Sequence, residues 1–160
     1  MKKKLSDQLS EKIIINSLLK KLNFNKQGTF NFENDAAYLS SAKNYKTIVT
    51  TDSITENIDF FYNDPPESVA QKLVCVNLSD LSAMGSMPIA YTLNLSLSSN
   101  ININWLKRFT NRLLKLQKIY NFYLLGGDIS NSNELSLSAN FFGKAKLKNI
   151  LSQNKCSVGD

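Results

Sequence analysis

A change of hydrophobic period between residues 89 and 120 constrains the fold of this chain more than any other feature. The segment IAYTLNLSLSS has apolar residues at every second position, as in a strand with one buried face. From residue 105 onward, apolar residues recur at helical spacing, and most Lys and Arg residues lie on the other faces. A strand followed by an amphipathic helix predicts a sheet covered by helices. The alternating residues are Tyr91, Leu93, Leu95 and Leu97, and the helical ones are Trp105, Phe109, Leu113, Leu116 and Tyr120.

The rest of the sequence supplies further helices and strands. We predict a helix over Ser6–Leu22 with Ser6 as its N-cap, a loop over Asn23–Ser41, and a helix over Glu67–Met84 that starts after Pro65 and Pro66 and stops at Gly85. Strands are predicted over Tyr45–Asp52, over FYLLGGD with its end at Gly126, Gly127 and Asp128, and over the alternating segment from Leu135. This order of elements predicts a two-layer α/β (α+β) fold, with residues 1–160 as a single domain.

The charge of the chain limits its partners. A net charge of +6 permits binding to nucleic acid or to small phosphorylated ligands. The lysines concentrate toward the two ends, and no nucleic-acid recognition motif accompanies them, so we expect no nucleic-acid partner. We also expect no membrane partner, because the chain has no apolar run long enough to span a bilayer.

The residue types present restrict the chemistry. The chain contains no histidine, which excludes Ser-His-Asp and Cys-His catalysis and zinc sites built on imidazole. Cys75 and Cys156 match neither a CxxC pair nor a disulfide framework, so we expect a reducing, cytoplasmic location. Any chemistry must depend on carboxylates, hydroxyls, backbone groups and bound metal.

Four aspartates at element ends form the most informative pattern: Asp35, Asp52, Asp80 and Asp128. Mg²⁺ prefers oxygen ligands and typically combines one or two carboxylates with water and substrate phosphates. Hydroxyl and glycine neighbours leave room for phosphate oxygens beside these carboxylates. The same residues also have plain interpretations, since Asp35 could cap a turn, Asp52 and Asp128 could end strands, and Asp80 could face solvent.

Several segments, taken in order, resemble the N-terminal half of the thiamine-monophosphate kinase family, within the aminoimidazole ribonucleotide synthase-like superfamily. They are TTDSITENIDF at residues 50–60, VNLSDLSAMGSMP at 76–88, NWLKRF at 104–109 and YLLGGDIS at 123–130. The resemblance covers almost the whole chain. It implies a mixed sheet with helices on one face, and ATP-dependent phosphorylation of thiamine monophosphate to thiamine diphosphate with magnesium.

The resemblance also implies roles for individual residues. By position, the family's metal ligands fall on Asp35, Thr50, Thr51, Asp52, Asp80 and Asp128. Its nucleotide contact falls on Gly127 and Asp128, and a substrate-contacting histidine falls on Asp59. Family members pair through their N-terminal domains, so a homodimer is expected. A C-terminal domain of the family lies beyond this chain, and we expect the chain alone not to complete the reaction.

The chain departs from the family at two further places. The family's Gly-x-Gly-Asp-Asp segment aligns with Asn31–Asp35, which lacks both glycines and the first aspartate. An arginine that contacts ATP aligns with Gln153, which carries no charge. These departures favour an alternative function, a non-catalytic dimerisation module or decayed paralogue. A different ligase or synthetase of the superfamily is a third possibility.

Overall fold

The computed structural model describes residues 10–32 and 43–151, which form a four-stranded sheet and its covering helices. The strands and long helices alternate along the chain until two strands end the series. The order is α1 (Glu11–Ile14), β1 (Tyr45–Thr55), α2 (Pro66–Ala83), β2 (Met87–Leu97), α3 (Ile103–Tyr120), β3 (Tyr123–Asn131) and β4 (Ser136–Lys146).

The sheet is mixed, which confirms the predicted fold class. Its strand order is β1-β4-β2-β3. Strand β4 runs antiparallel to both β1 and β2, whereas β3 runs parallel to β2 and is connected to it through α3. The return of the chain through a helix is what a parallel pair requires, since a short turn cannot join parallel strands.

One face of the sheet packs against the helices and forms the core. Helix α2 contacts β1, β2, β4 and α3. Beneath the helices lie the alternate residues of the two central strands, all at most 3% exposed, and this confirms the period-two prediction. They are Tyr91, Leu93, Leu95 and Leu97 of β2, and Leu137, Ala139 and Phe141 of β4.

The opposite face of the sheet carries hydroxyl and amide side chains, and we call it the polar face. Its residues pair across strands: Asn140 Nδ2 donates to Thr92 Oγ1 at 2.9 Å, and the Ser96 and Ser130 hydroxyls lie 3.2 Å apart. Such cross-strand pairs stabilise a sheet face that lacks apolar contacts. The alternation seen in the sequence therefore separates an apolar face from a polar one.

Two strands are longer than predicted, so the prediction that Asp52 and Asp128 end strands is wrong. Strand β1 continues to Thr55 and β3 to Asn131. The extra residues of β1 pair with Ser136–Ser138 of β4, and those of β3 pair with Leu95–Leu97 of β2. Hydrogen bonding to a neighbouring strand outweighs the weak strand propensity of the Asp and Ser residues near these two strand ends.

The N-terminal segment is less regular than the predicted helix. It is α-helical only over Glu11–Ile14, then forms a π-helical turn over Ile15–Leu19 and a 3₁₀ turn over Lys20–Leu22. Another 3₁₀ helix, Gln27–Phe32, lies in the predicted loop. Ser6 and the remainder of that loop lie outside the described residues.

Helix α2 matches its prediction closely. It starts at Pro66, which suits the first helical position because proline lacks the N–H that would remain unpaired there. It ends at Ala83, and Gly85 follows with a φ of 64°, a left-handed conformation that glycine adopts without strain. No helix in the described part of the chain is long and apolar enough to cross a membrane.

Candidate functional site

Strand β1 and the end of helix α2 bring three of the predicted ligands together. Thr50 and Asp52 are two residues apart on β1, so both side chains project from the same face of the sheet. Ile54 lies on that face as well and is 2% exposed, which identifies it as the face under α2. Asp80 lies in the last turn of α2 and reaches the same region.

The contacts in this cluster leave negative charge without a counterion. Thr50 Oγ1 donates a hydrogen bond of 2.6 Å to Asp80 Oδ2. Asp52 Oδ2 is buried and has no hydrogen-bond partner among the described residues. Burial raises the pKa of Asp52, and the negative charge of Asp80 raises that pKa further. A cation placed here would offset both the cost of burying the Asp52 carboxylate and its repulsion by Asp80.

The donor set suits magnesium. Two carboxylates and a hydroxyl are hard oxygen ligands, and the unpartnered Oδ2 of Asp52 has free lone pairs to offer. Within residues 10–32 and 43–151, no group of three or more acidic or cysteine side chains forms a metal cage. A site with one or two carboxylates is the usual one for Mg²⁺, whose remaining ligands are water and phosphate oxygens.

Thr51 and Asp128 lie elsewhere, on the polar face. Thr51 is paired with Asn140 of β4, and Asp128 is paired with Asn94 of β2. Strands β1 and β3 are the two edges of the sheet, three inter-strand steps apart, or about 14 Å. Within one copy of the chain, Asp128 therefore does not approach the Thr50–Asp52–Asp80 cluster.

The two glycines before Asp128 differ in what they permit. A Cβ on Gly127 would collide with the backbone carbonyl of Leu93, so the close approach of β3 to β2 requires glycine there. A Cβ on Gly126 would meet no atom within 4 Å. Gly127 thus has a structural role, and the space beside the backbone lies at Gly126.

Asp59 forms a turn in the loop that follows β1. Its Oδ2 accepts a 2.8 Å hydrogen bond from the backbone N–H of Thr55, and its carbonyl oxygen accepts a hydrogen bond from Lys72 Nζ. Its role in substrate binding stays a prediction. Asp35 and Gln153 lie outside the described residues, and their predicted roles are untested.

Sequence reasoning did not single out two buried polar residues as candidate site residues. Asn77 is fully buried on α2, one turn before Asp80; its Nδ2 donates to the Leu73 carbonyl at 2.9 Å, and its Oδ1 has no partner among the described residues. Glu56 is 7% exposed and lies just after β1. The signal for Asn77 was an amide within an apolar helical stripe, whereas nothing local marks Glu56 as buried.

The structure defines a class of α/β domain. Its sheet is mixed and covered by helices on one face, and two carboxylates lie between β1 and α2. Residues 33–145 match the family described as AIR synthase related protein, N-terminal domain. The chain belongs to this family.

Within the family, the chain is similar to thiamine-monophosphate kinases, as its sequence segments indicated. It is 38% identical to the thiamine-monophosphate kinase of Haemophilus influenzae over 126 residues, which are 79% of this chain and 38% of that protein. The crystal structure of thiamine-monophosphate kinase from Stenotrophomonas maltophilia K279a is 31% identical, with a TM-score of 0.73, and the match covers 80% of this chain and 40% of that one.

A further structure, AaThiL complexed with AMPPCP and TMP, is 28% identical with a TM-score of 0.63, and the match covers 70% of this chain and 36% of that one. The chain spans about two fifths of the length of the relatives that it matches.

Proposed function

We propose that this chain acts as the N-terminal, metal- and nucleotide-binding part of a thiamine-monophosphate kinase, which transfers a phosphoryl group from ATP to thiamine monophosphate. Its family and its relatives support this function. The AaThiL structure, which holds AMPPCP and TMP, supports ATP and thiamine monophosphate as the two ligands. A cytoplasmic location accords with the free thiol of Cys75.

The observation that carries the proposal is the pair of carboxylates, Asp52 and Asp80, with the Thr50 hydroxyl between β1 and α2. Bound magnesium would supply positive charge to the phosphates during transfer. Asp52 and Asp80 would hold the ion, and Thr50 would keep the Asp80 carboxylate oriented through its hydrogen bond. This part of the protein would position the magnesium ion, which would offset the negative charge of the phosphates.

The other proposed site residues extend this centre. The metal ligands would further include Asp35, Thr51 and Asp128, the nucleotide would contact Gly127 with Asp128, and the substrate would contact Asp59. Because Asp128 lies at the opposite edge of the sheet from Asp52, one copy does not supply all of these groups at one point. We propose that the chain forms a homodimer, which light scattering on the eluted protein would show as twice the mass of one chain.

Calorimetric titration with magnesium and AMPPCP tests the proposal. We expect the chain to bind AMPPCP only when magnesium is present, and we expect Asp80→Asn to weaken binding at least about tenfold, because one carboxylate ligand loses its charge. Glu134→Gln is the matched control, since Glu134 is an exposed acid in the turn between β3 and β4. Equal binding by Asp80→Asn and Glu134→Gln would contradict the proposed centre.

A non-catalytic dimerisation module is the second candidate. The Asp59 carboxylate favours this non-catalytic function, because its Oδ2 already accepts a hydrogen bond from the backbone N–H of Thr55. This candidate predicts a folded dimer whose melting temperature is the same with and without magnesium and AMPPCP. The proposed kinase domain predicts an increase in melting temperature on adding both.

A further inference from the structure

Asn77 is a fully buried polar side chain on helix α2. Its Nδ2 donates a 2.9 Å hydrogen bond to the Leu73 carbonyl, and this contact fixes the amide, because the reverse orientation would place two acceptor oxygens against each other. Oδ1 therefore points away from the Leu73 carbonyl, and it has no hydrogen-bond partner among the described residues. Buried acceptors are normally paired, so this oxygen needs a donor.

Helix α2 runs back along β1, in the direction opposite to the strand. Near the start of the helix, Val69 borders the same cavity as Glu56, the residue that follows the end of β1. Near the end of the helix, Asp80 accepts the hydrogen bond from Thr50 in the middle of the strand. Moving from Asp80 toward the start of α2 therefore corresponds to moving from Thr50 toward the end of β1.

This arrangement places Asn77 opposite Asp52. Asn77 precedes Asp80 by three residues, about 4.5 Å along the helix and on the same side of it. Asp52 follows Thr50 by two residues, about 6.8 Å along the strand and on the same face. The residue paired with Asp52 on β4 is Ala139, whose methyl group occupies little of the space beneath α2. The Asn77 amide and the Asp52 carboxylate thus share the layer between α2 and the sheet.

Both side chains bring an unsatisfied acceptor into this layer. Asp52 Oδ2, like Asn77 Oδ1, is buried without a partner in the part of the chain that the structure describes. Neither oxygen can donate to the other while the carboxylate is ionised. A water molecule carries two donor hydrogens, and buried waters normally bridge polar groups that would otherwise be unpaired. Water is thus the smallest group that satisfies both oxygens.

We propose that Asn77 is a positioning residue for the magnesium centre, acting through a buried water that donates one hydrogen bond to Asn77 Oδ1 and the other to Asp52 Oδ2. This inference rests on the proposed function. The water holds the Asp52 carboxylate in one orientation, as the Thr50 hydroxyl holds that of Asp80. An ionised carboxylate has about four acceptor sites, so one bond to water leaves the others for the ion.

Calorimetric titration of the full chain with magnesium alone tests the role of Asn77. Asn77→Leu replaces the amide with an apolar side chain of similar shape, and we expect it to weaken magnesium binding about tenfold, because the Asp52 carboxylate loses its orienting contact. Thr110→Val is the matched control. Thr110 is also fully buried, and its Oγ1 donates to the Leu106 carbonyl, one turn earlier in α3, at 2.8 Å. The control loses a similar bond within another helix and should bind magnesium as the wild type does.

The titrations separate this inference from the proposed function. Equal magnesium affinities in Asn77→Leu and Thr110→Val would overturn the role of Asn77 and leave the proposed function standing. A wild type that binds no magnesium would refute both.

A crystal structure of the wild-type chain without magnesium tests the water itself, and it decides the question if Asn77→Leu does not fold. We expect electron density for a water about 2.5–3.0 Å from both Asn77 Oδ1 and Asp52 Oδ2. A direct contact between these two oxygens, a protein donor at Asn77 Oδ1, or no water density between them would overturn the inference.

Discussion

Replacing Asp52 with asparagine should stabilise the metal-free protein while removing its response to magnesium. In the wild type, the Asp52 carboxylate lies beside Asp80 with Oδ2 buried and unpartnered. A buried, unsatisfied polar group costs about 1–3 kcal/mol. Because Asp52 is only half-buried, and asparagine keeps an acceptor oxygen there, we expect a gain of about 1 kcal/mol, near the lower end of that range.

The melting temperature provides the assay. For a chain of this size, about 1 kcal/mol corresponds to roughly 2–4 °C, so Asp52→Asn should melt that much higher than the wild type without metal. Magnesium at about 100 times its dissociation constant adds about 2.7 kcal/mol, or roughly 5–10 °C, to the wild type. Magnesium should raise the melting temperature of Asp52→Asn by much less. Glu134→Gln should behave as the wild type in both conditions.

The pH dependence follows from the raised pKa of Asp52. The folded protein prefers the protonated carboxyl, so the ionised form destabilises it at pH values above the raised pKa. As the pH falls through the raised pKa toward the ordinary value of 3.8, the wild type loses this penalty. Asp52→Asn should therefore exceed the wild type in stability by the full amount at pH 7, and the two proteins should be equally stable below pH 3.8. A variant that melts lower than the wild type at pH 7 without metal would refute this reasoning.

Three further substitutions test the fold. Gly127→Ala should lower the free energy of unfolding by about 2 kcal/mol or more, because its Cβ has no space beside Leu93, and urea denaturation would measure this loss. Leu113→Ala in α3 should cost about 2–5 kcal/mol by leaving a cavity, also measured in urea. Arg108→Ala should cost only about 0.2–1 kcal/mol, since its pair with Glu67 is solvent-exposed, and added salt should reduce the difference from the wild type.

The sequence predicted the elements well because their signals are local. Alternation in β2 and β4, the proline start of α2 and the glycine after its end all act within a few residues. The strand ends were wrong because they depend on pairing with distant strands. The contact of Thr50 with Asp80 joins residues 30 apart in sequence, and no local pattern shows it.

Local sequence patterns also do not predict the face of the sheet on which Asp128 lies. Leu124 pairs with Tyr91 on the helix-covered face, and strict alternation would put Asp128 on that same face. A bulge intervenes, because Leu124 and Gly126 pair with successive residues of β2 and Leu125 is the extra one. The one-residue shift reverses the alternation and turns Asp128 to the polar face.

Helix α2 links the loop that follows β1 to the proposed magnesium centre. Pro66 is its first residue, and Asp80 lies in its last turn. An 18-residue helix is about 27 Å long, so a tilt of about 3° about its start moves its far end by about 1.4 Å. Magnesium needs ligands at about 2.0–2.1 Å in near-octahedral geometry. A change of a few degrees in how the first turn of α2 packs would therefore move Asp80 by a distance that is large compared with the precision that magnesium coordination requires.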